Sequence, residues 1–366
     1  MKWNDITSLH LEISALCNSV CPQCARYPTA SYFEHPNIST NDTWSLDSVK
    51  QNLPAEDLAG ITSYLLNGTV GDFITNKDAV EIVEYFYNTS PGASIIINTN
   101  GSARTAEWWR RLAQFRPVVN FALDGLEDTH HLYRRQTNWN QILENAQAFM
   151  SAGGTANWTM TIFEHNEHQV DACKQLSIEL GFSQFSARHT DRDNVPALDK
   201  NGEATHWLKP ASTSPVKIGR TIPVRELQSK ESAIKRGQLP QAIAPLVETL
   251  PLPDPANNCD SLRLRQIYIG GNWSVAPCCF IGIMSFQKTF DHRYPDFVKQ
   301  LTNAGLTEAD LVANADHTVK QIVNNGFDWI YNSQGTDQQL VACFKHCHPE
   351  KSNFRQSQST KINQDL

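Results

Sequence analysis

Between Leu11 and Arg26 the chain reads LEISALCNSVCPQCAR, and three of its nine cysteines, Cys17, Cys21 and Cys24, fall there with the spacing C-x3-C-x2-C. Thiolates are soft ligands that suit iron–sulfur clusters or zinc. Three of them in one short loop can wrap one face of a compact cluster and leave one metal position open. An open position can hold a substrate or cofactor, as it does at catalytic zinc. A zinc knuckle completed by a fourth ligand from elsewhere is the other metal reading of the same three residues.

Five more cysteines lie far downstream: Cys259, the adjacent Cys278 and Cys279, and Cys343 and Cys347 in the run CFKHC, with His346 and His348 beside them. Cys173 stands alone in a helical pattern and reads as a small buried hydrophobe. An odd cysteine count argues against a fully paired disulfide framework, and the clustering points to metal. At 366 residues with 40% hydrophobic content, the chain has material for about two domains or one large α/β domain with an appendage. A net charge of −7 gives no general polyanion-binding surface, so nucleic-acid binding is not expected. No apolar run approaches the roughly 20 residues that span a bilayer, and no segment reads as a signal peptide. A soluble cytoplasmic protein is expected.

The elements that must carry these cysteines follow from periodicity. Leu9, Leu11 and Ile13 alternate as a short strand ahead of the first cysteine loop. Residues 45–57 read as a polar surface helix broken by proline. A series of strands and helices follows: strand 61–66, helix 78–87, strand 93–97, helix 103–115, strand 118–123, helix 139–152, strand 156–163, helix 168–180 and strand 184–188. Strands alternating with helices imply right-handed βαβ units on a parallel sheet, here a partial (β/α)6 barrel. Functional loops of such barrels lie at the C-terminal strand ends. Gly71 and Asp72, Thr99 and Asn100, Asp124, Asn166, and the run Arg188-His189-Thr190-Asp191-Arg192 all fall at such ends. Residues 193–258 are proline-rich and read as a connecting segment that wraps the barrel. Cys259 then precedes an alternating run with Leu264, Ile267 and Ile269, and the turn Gly270-Gly271-Asn272 leads to Trp273, Val275 and Pro277-Cys278-Cys279, a hairpin pattern.

A strand followed by C-x3-C-x2-C near the N-terminus resembles the radical S-adenosylmethionine (SAM) enzymes. The resemblance implies that Cys17, Cys21 and Cys24 hold a [4Fe–4S] cluster whose open iron takes the amino and carboxylate groups of SAM. Reductive cleavage of SAM then yields a 5′-deoxyadenosyl radical that abstracts hydrogen from a substrate. Gly71-Asp72 stands where the family usually has Gly-Gly-Glu, whose residues contact the SAM amino group; Val70 replaces a glycine and Asp72 the glutamate. Thr99-Asn100-Gly101 resembles a third-strand segment of the family. Ala122-Leu123-Asp124-Gly125 resembles Ser-Ile-Asp-Gly of its peptide-modifying branch, with alanine in place of the serine. Arg134, and after it Arg135, resembles the arginine that reaches the SAM carboxylate, and Asn166 is assigned to SAM or substrate. The residue before the third cysteine, often aromatic in the family, is Gln23 here.

A cysteine before a hairpin, Pro-Cys-Cys after it and a later cysteine pair resemble the SPASM/twitch extension, which carries an auxiliary [4Fe–4S] cluster; the single-cluster twitch form fits the cysteine count better. The resemblance gives Cys259, Cys278, Cys343 and Cys347 as its ligands, with Cys279 spare and zinc as the alternative metal. The expected organisation is a radical SAM core over 1–192, the connection 193–258, a twitch/SPASM-like domain over 259–350 and a polar mobile tail over 351–366. Arg188, His189, Asp191 and Arg192 are substrate candidates. The expected substrate is a peptide or protein side chain, with a small molecule or nucleotide as the alternative, and the expected partner is a one-electron donor such as flavodoxin or ferredoxin. A non-enzymatic cysteine–metal protein is the rival class.

Overall fold

Most strands form where apolar side chains recur at every second position, and several helices start at side chains that satisfy one of their first N–H groups. The structure, a computed structural model, describes residues 1–27, 32, 34, 37–39, 41–190, 194–212, 260–284, 294–327 and 360–362. Its elements in chain order are β1 (Ser8–Leu11), α1 (Leu46–Asn52), β2 (Ser63–Leu66), α2 (Ala79–Thr89), β3 (Ser94–Thr99), α3 (Ala106–Ala113), β4 (Val118–Ala122), α4 (Glu127–Tyr133), α5 (Trp139–Ser151), β5 (Thr155–Ile162), α6 (Val170–Glu179), β6 (Gln184–His189), β7 (Val195–Leu198), β8 (Ala204–Leu208), α7 (Asp260–Arg263), β9 (Gln266–Ile269), β10 (Val275–Ala276), α8 (Cys279–Gly282), α9 (Tyr294–Asn303), α10 (Val319–Gly326) and β11 (Thr360–Ile362). Ser45, Thr105 and Asn138 cap α1, α3 and α5, each accepting from a backbone N–H three residues on.

The described residues fall into two units. The first draws on 1–16, 37–95 and 241–356. There β1 pairs in parallel with β2 on one side and with β9 on the other, and β10 closes an antiparallel hairpin with β9. β1 has a strand on each edge, and all four of its residues are buried, so both of its faces are covered as well. Simple alternation along Leu9, Leu11 and Ile13 therefore describes only half of it; His10 and Glu12, on the other phase, are buried too. Trp44 stacks on Trp273 at 3.9 Å, and its indole N–H donates to the Gly271 carbonyl. Leu264 lies outside the hairpin it was expected to join and is exposed, whereas Ile267 and Ile269 are buried in β9.

The second unit draws on 17–36, 96–240 and 357–366. Its strands β3 to β6 pair in parallel in sequence order. Val119, Phe121, Trp158 and Met160 bury one face, where Trp109 of α3 and Phe149 of α5 meet Phe121 at ring distances of 5.2 and 6.4 Å. The opposite face carries half-buried Asn98, Asn120 and Asn157 at matched register, joined by amide hydrogen bonds of 3.0 Å from Asn120 to Asn98 and from Asn157 to Asn120. Thr159, Thr161 and Ser186 continue that face. A parallel sheet covered on both faces is aliphatic throughout; this one turns amides and hydroxyls to the side away from the helices.

Two elements differ from the sequence expectation. Part of the connecting segment forms the antiparallel hairpin of β7 and β8, because Val195, Ala197, Leu198 and Leu208 supply an apolar side that buries against Cys21, Tyr133 and Phe163. Thr360–Ile362 of the polar tail pairs antiparallel with β6, occupying a strand edge that would otherwise stay open. Most of 193–258 lies outside the described residues, as do Cys259, Cys343 and Cys347.

Candidate functional site

The first cysteine loop is built on short local turns. Cys24 N–H donates to the Cys21 carbonyl and Tyr27 N–H to that of Cys24, at 3.0 and 2.9 Å. The Tyr27 hydroxyl donates back to Ser19 O. Cys21 is buried, Cys17 and Cys24 are half-buried, and all three are outside any disulfide. Donors face the Cys17 sulfur, Ser19 N–H at 3.4 Å and Asn100 Nδ2 at 3.7 Å; Ser19 Oγ donates to Arg135 O and lies 3.0 Å from Cys21 Sγ, placed to accept from that thiol. Burial pushes the Cys21 thiol pKa up, and the charge of Arg134 opposes that shift.

Asn100, at the end of β3, serves the loop with its whole side chain. Its Nδ2 donates to Asn18 Oδ1 at 2.8 Å, and its Oδ1 accepts from Ser102 N–H. Thr99 accepts from Gly101 N–H. Gly101 turns with φ +69°, and a Cβ there would lie 2.6 Å from Phe121 Cδ1, so no side chain fits.

At the end of β4, Asp124 is fully buried. Its Oδ2 accepts from Arg134 Nε at 2.6 Å and its Oδ1 from Thr161 N–H at 2.5 Å. Arg134 leaves the end of α4, lies over the Tyr133 ring and places Nη1 3.9 Å from Cys21 Sγ. Burial acts to lower the Arg134 pKa, but the Asp124 carboxylate outweighs it and holds the guanidinium well above its ordinary value. His130 fixes the backbone beneath this pair. Its Nδ1 accepts from Asp124 N–H, so the proton sits on Nε2, which faces Thr137 Oγ at 3.0 Å. Burial pushes the His130 pKa down to about 4, with the Asp124 charge opposing, so the ring is neutral near pH 7.

The two neighbouring arginines therefore part company. Arg135 turns away from the cysteines to the β7–β8 hairpin, donating to Leu198 O and Thr205 Oγ at 2.5 and 3.2 Å. Asn166 is fully buried and spends its amide on backbone: Oδ1 accepts from Phe163 N–H, and Nδ2 donates to Asp124 O and Thr161 O. It orders the loop after β5 around Asp124. Arg188 is exposed and His189 half-buried at the end of β6; Asp191 and Arg192 lie outside the described residues.

In the first unit, Gly71 sits where a Cβ would fall 1.8 Å from Ser14 O, so only glycine fits. Asp72 is buried and its carboxylate caps the turn that follows, accepting from Ile74 N–H, while its N–H donates to Leu16 O at 2.7 Å. Cys278 and Cys279 are half-buried at the start of α8, in no disulfide. A cavity of about 140 Å³ opens close by, lined by Val275, Ala276, Ile281, Phe297 and Leu311 among others. Among the described residues, no three His, Cys, Asp or Glu side chains form a ready site for a single metal ion.

Sequence reasoning singled out neither Ser19 nor Asn18, and it passed over Glu12. The only available signal for Glu12 was a carboxylate inside an otherwise apolar strand.

The fold is α/β with a parallel sheet of the partial-barrel type, and a cysteine loop follows its first strand. Residues 11–176, a little under half of the chain, match the Radical SAM superfamily model. No curated protein matches the chain. Among solved structures, Streptococcus suis SuiB bound to S-adenosylmethionine is 12% identical over 92% of this chain and 77% of its own, with a TM-score of 0.46. SuiB bound to the precursor peptide SuiA is 13% identical over 80% and 67%, with the same score of 0.46. Native anSMEcpe with bound AdoMet is 14% identical over 96% and 99%, at 0.44.

The loop suits a sulfur-ligated iron cluster on its own chemistry. It offers three thiols outside any disulfide, N–H donors aimed at the Cys17 sulfur, and a paired guanidinium beside that of Cys21.

Proposed function

We propose that this chain is a radical SAM enzyme that cleaves SAM reductively and abstracts hydrogen from a peptide or protein side chain. The observation that carries the reading is Arg134, whose guanidinium is held beside the Cys21 sulfur by a buried carboxylate. Cys17, Cys21 and Cys24 would hold a [4Fe–4S] cluster, which supplies one-electron reduction of bound SAM to a 5′-deoxyadenosyl radical.

The chain's own residues do the rest. Asp124 takes up Arg134 Nε and Nη1 faces Cys21 Sγ, so the guanidinium would meet the SAM carboxylate from beside that sulfur. Asn100 and Ser19 steady the sulfurs and their loop. The β7–β8 hairpin, packed against Cys21 and Cys24, keeps water from that side of the loop. Gly71 and Asp72 are the family-like candidates for the SAM amino group; the Asp72 carboxylate caps Ile74, so the backbone of that loop would make the contact. Cys278, with Cys259, Cys343 and Cys347, would hold a twitch-type auxiliary cluster. A flavodoxin- or ferredoxin-like donor in the cytoplasm would supply the electron. The peptide preference rests on the likeness of the Leu123-Asp124-Gly125 segment to the peptide-modifying branch.

Anaerobic reconstitution tests the reading. Dithionite-dependent release of 5′-deoxyadenosine from SAM is expected, and replacing Cys17, Cys21 and Cys24 with Ala should abolish it while iron and sulfide remain at a second site. Reconstituted protein that carries zinc, or iron without SAM cleavage, would refute it.

A further inference from the structure

Glu12 lies one residue beyond β1, is 1% exposed, and points its carboxylate into the loop that follows β2. Oε1 accepts from Thr69 N–H at 2.7 Å. Oε2 accepts from Val70 N–H at 3.2 Å, Gly71 N–H at 3.0 Å and Asn67 Nδ2 at 3.2 Å. Three successive backbone N–H groups converging on one anion form a nest, here filled by a side chain of the protein itself. The loop is tied onward at its far end, because Asp72 N–H and the Thr75 hydroxyl both donate to Leu16 O, at 2.7 and 3.0 Å. Leu16 is the residue before Cys17.

We propose that Glu12 is a positioning residue for SAM: its carboxylate fixes the backbone of Thr69-Val70-Gly71, and through Asp72 and Leu16 the entry to the cysteine loop. This deepens the function proposed above and rests on it. Family resemblance gives the amino-group contact to the 71–72 segment, and in this chain the segment's conformation is imposed from the neighbouring strand.

The groups facing Glu12 make the hold sensitive to protonation. His10, on the same strand, lies 3.8 Å away, and burial drives its pKa down to about 4, so it supplies no positive charge near neutrality. Tyr268 of β9 packs edge-on against His10, and burial together with the Glu12 charge holds its hydroxyl protonated. Cys279 lies near Tyr268. Burial outweighs the amide hydrogen bonds and pushes the Glu12 pKa up to about 7. An ionised Glu12 accepts from all three N–H groups. A protonated one turns one oxygen into a donor and gives up at least one of them.

The test uses the full chain in two arms. In the first, hydrogen exchange of the 67–72 segment is followed in protein without SAM, at about pH 6 and about pH 8, as protection factors corrected for intrinsic exchange and referenced to α5. Wild type should gain about fivefold protection at the higher pH, and Glu12→Gln, which turns an NH2 toward the loop, should show low protection at both. In the second arm, equilibrium binding of SAM to reconstituted protein should tighten about tenfold from the lower to the higher pH in wild type, stay weak and flat in Glu12→Gln, and recover part of the pH dependence in Glu12→Asp. Protection that is flat with pH in wild type overturns the proposal, and so does SAM affinity whose pH dependence survives in Glu12→Gln. If Glu12→Gln does not fold, the wild-type exchange arm still decides. If wild type binds no SAM at all, the proposed function fails, while the exchange arm continues to judge the hold of Glu12 on the loop.

Discussion

Asp124 and Arg134 make the sharpest prediction, because the two partners are buried unequally. Asp124 is fully enclosed, whereas the Arg134 side chain keeps 21% of its exposure. Breaking a buried pair by removing one partner costs about 3–5 kcal/mol, most of it the charge left stranded. Arg134→Gln strands the enclosed carboxylate and belongs at the top of that range, about 4–5 kcal/mol. Asp124→Asn keeps an oxygen for Thr161 N–H but turns an NH2 toward Arg134 Nε, and water can still reach part of the guanidinium, so about 2–3 kcal/mol is expected. The double variant should fall short of the summed losses by about 2 kcal/mol. Urea unfolding of the protein without cluster or SAM, at low salt and near pH 7.5, measures all three through the midpoint and slope. Losses that add within about 0.5 kcal/mol would show that the pair is not coupled, and the placement of Arg134 beside Cys21 would lose its cause. An Asp124→Asn loss larger than that of Arg134→Gln would refute the burial argument specifically.

Other outcomes follow from single contacts. Arg135→Ala should loosen the β7–β8 hairpin by about 1 kcal/mol, seen as faster hydrogen exchange over 195–208, and should leave SAM affinity nearly unchanged, in contrast to Arg134→Ala. Gly71→Ala places a Cβ against Ser14 O and must displace the loop; a lowered melting temperature and loss of SAM binding are expected, while Gly60→Ala, with open space around it, serves as the neutral control. His130 titrates at about 4 when folded and near its ordinary 6.5 when unfolded. The unfolded chain therefore binds the proton first, so the stability His130 contributes is present above pH 6.5 and lost as pH falls toward 4. His130→Asn, which keeps an acceptor for Asp124 N–H, should flatten that acid limb in a melting series against pH. His10 and His165, both also lowered to about 4, leave a residual slope of the same sign.

The strand–helix series was legible because each element carries its own period and its own stop. Asn138 capping α5 and the glycines closing it are local signals, and the expected 139–152 became Trp139–Ser151. What escaped depended on partners distant in sequence. Nothing in Gln266–Ile269 announces that it will lie parallel to β1, since a hairpin pattern fixes only its local antiparallel mate. Likewise α4 has seven residues and an irregular mix of charge and histidine, so its periodicity is too short to register. At the site, residue types marked the strand ends but not the direction of their side chains. Arg134 and Arg135 are equivalent in sequence, and only the buried Asp124 on one side and the hairpin carbonyl of Leu198 on the other separate them. Asn166 carried the right chemistry for a ligand and spends it on the backbone of its own loop and of Asp124.

The row of carboxamides across β3, β4 and β5 has a direction. Asn157 hands a proton donor to Asn120, and Asn120 does the same to Asn98, so the oxygens of Asn98 and Asn120 are each met by the next strand's NH2. Turning Asn120 over sets oxygen against oxygen on one side and NH2 against NH2 on the other, and turning either neighbour spoils its one contact, so the three orient as a unit. An aspartate at position 120 would leave Asn98 without its donor, and an aliphatic residue would leave both neighbours to water. Evolution or engineering can therefore reshape this wall only by coordinated change on adjacent strands.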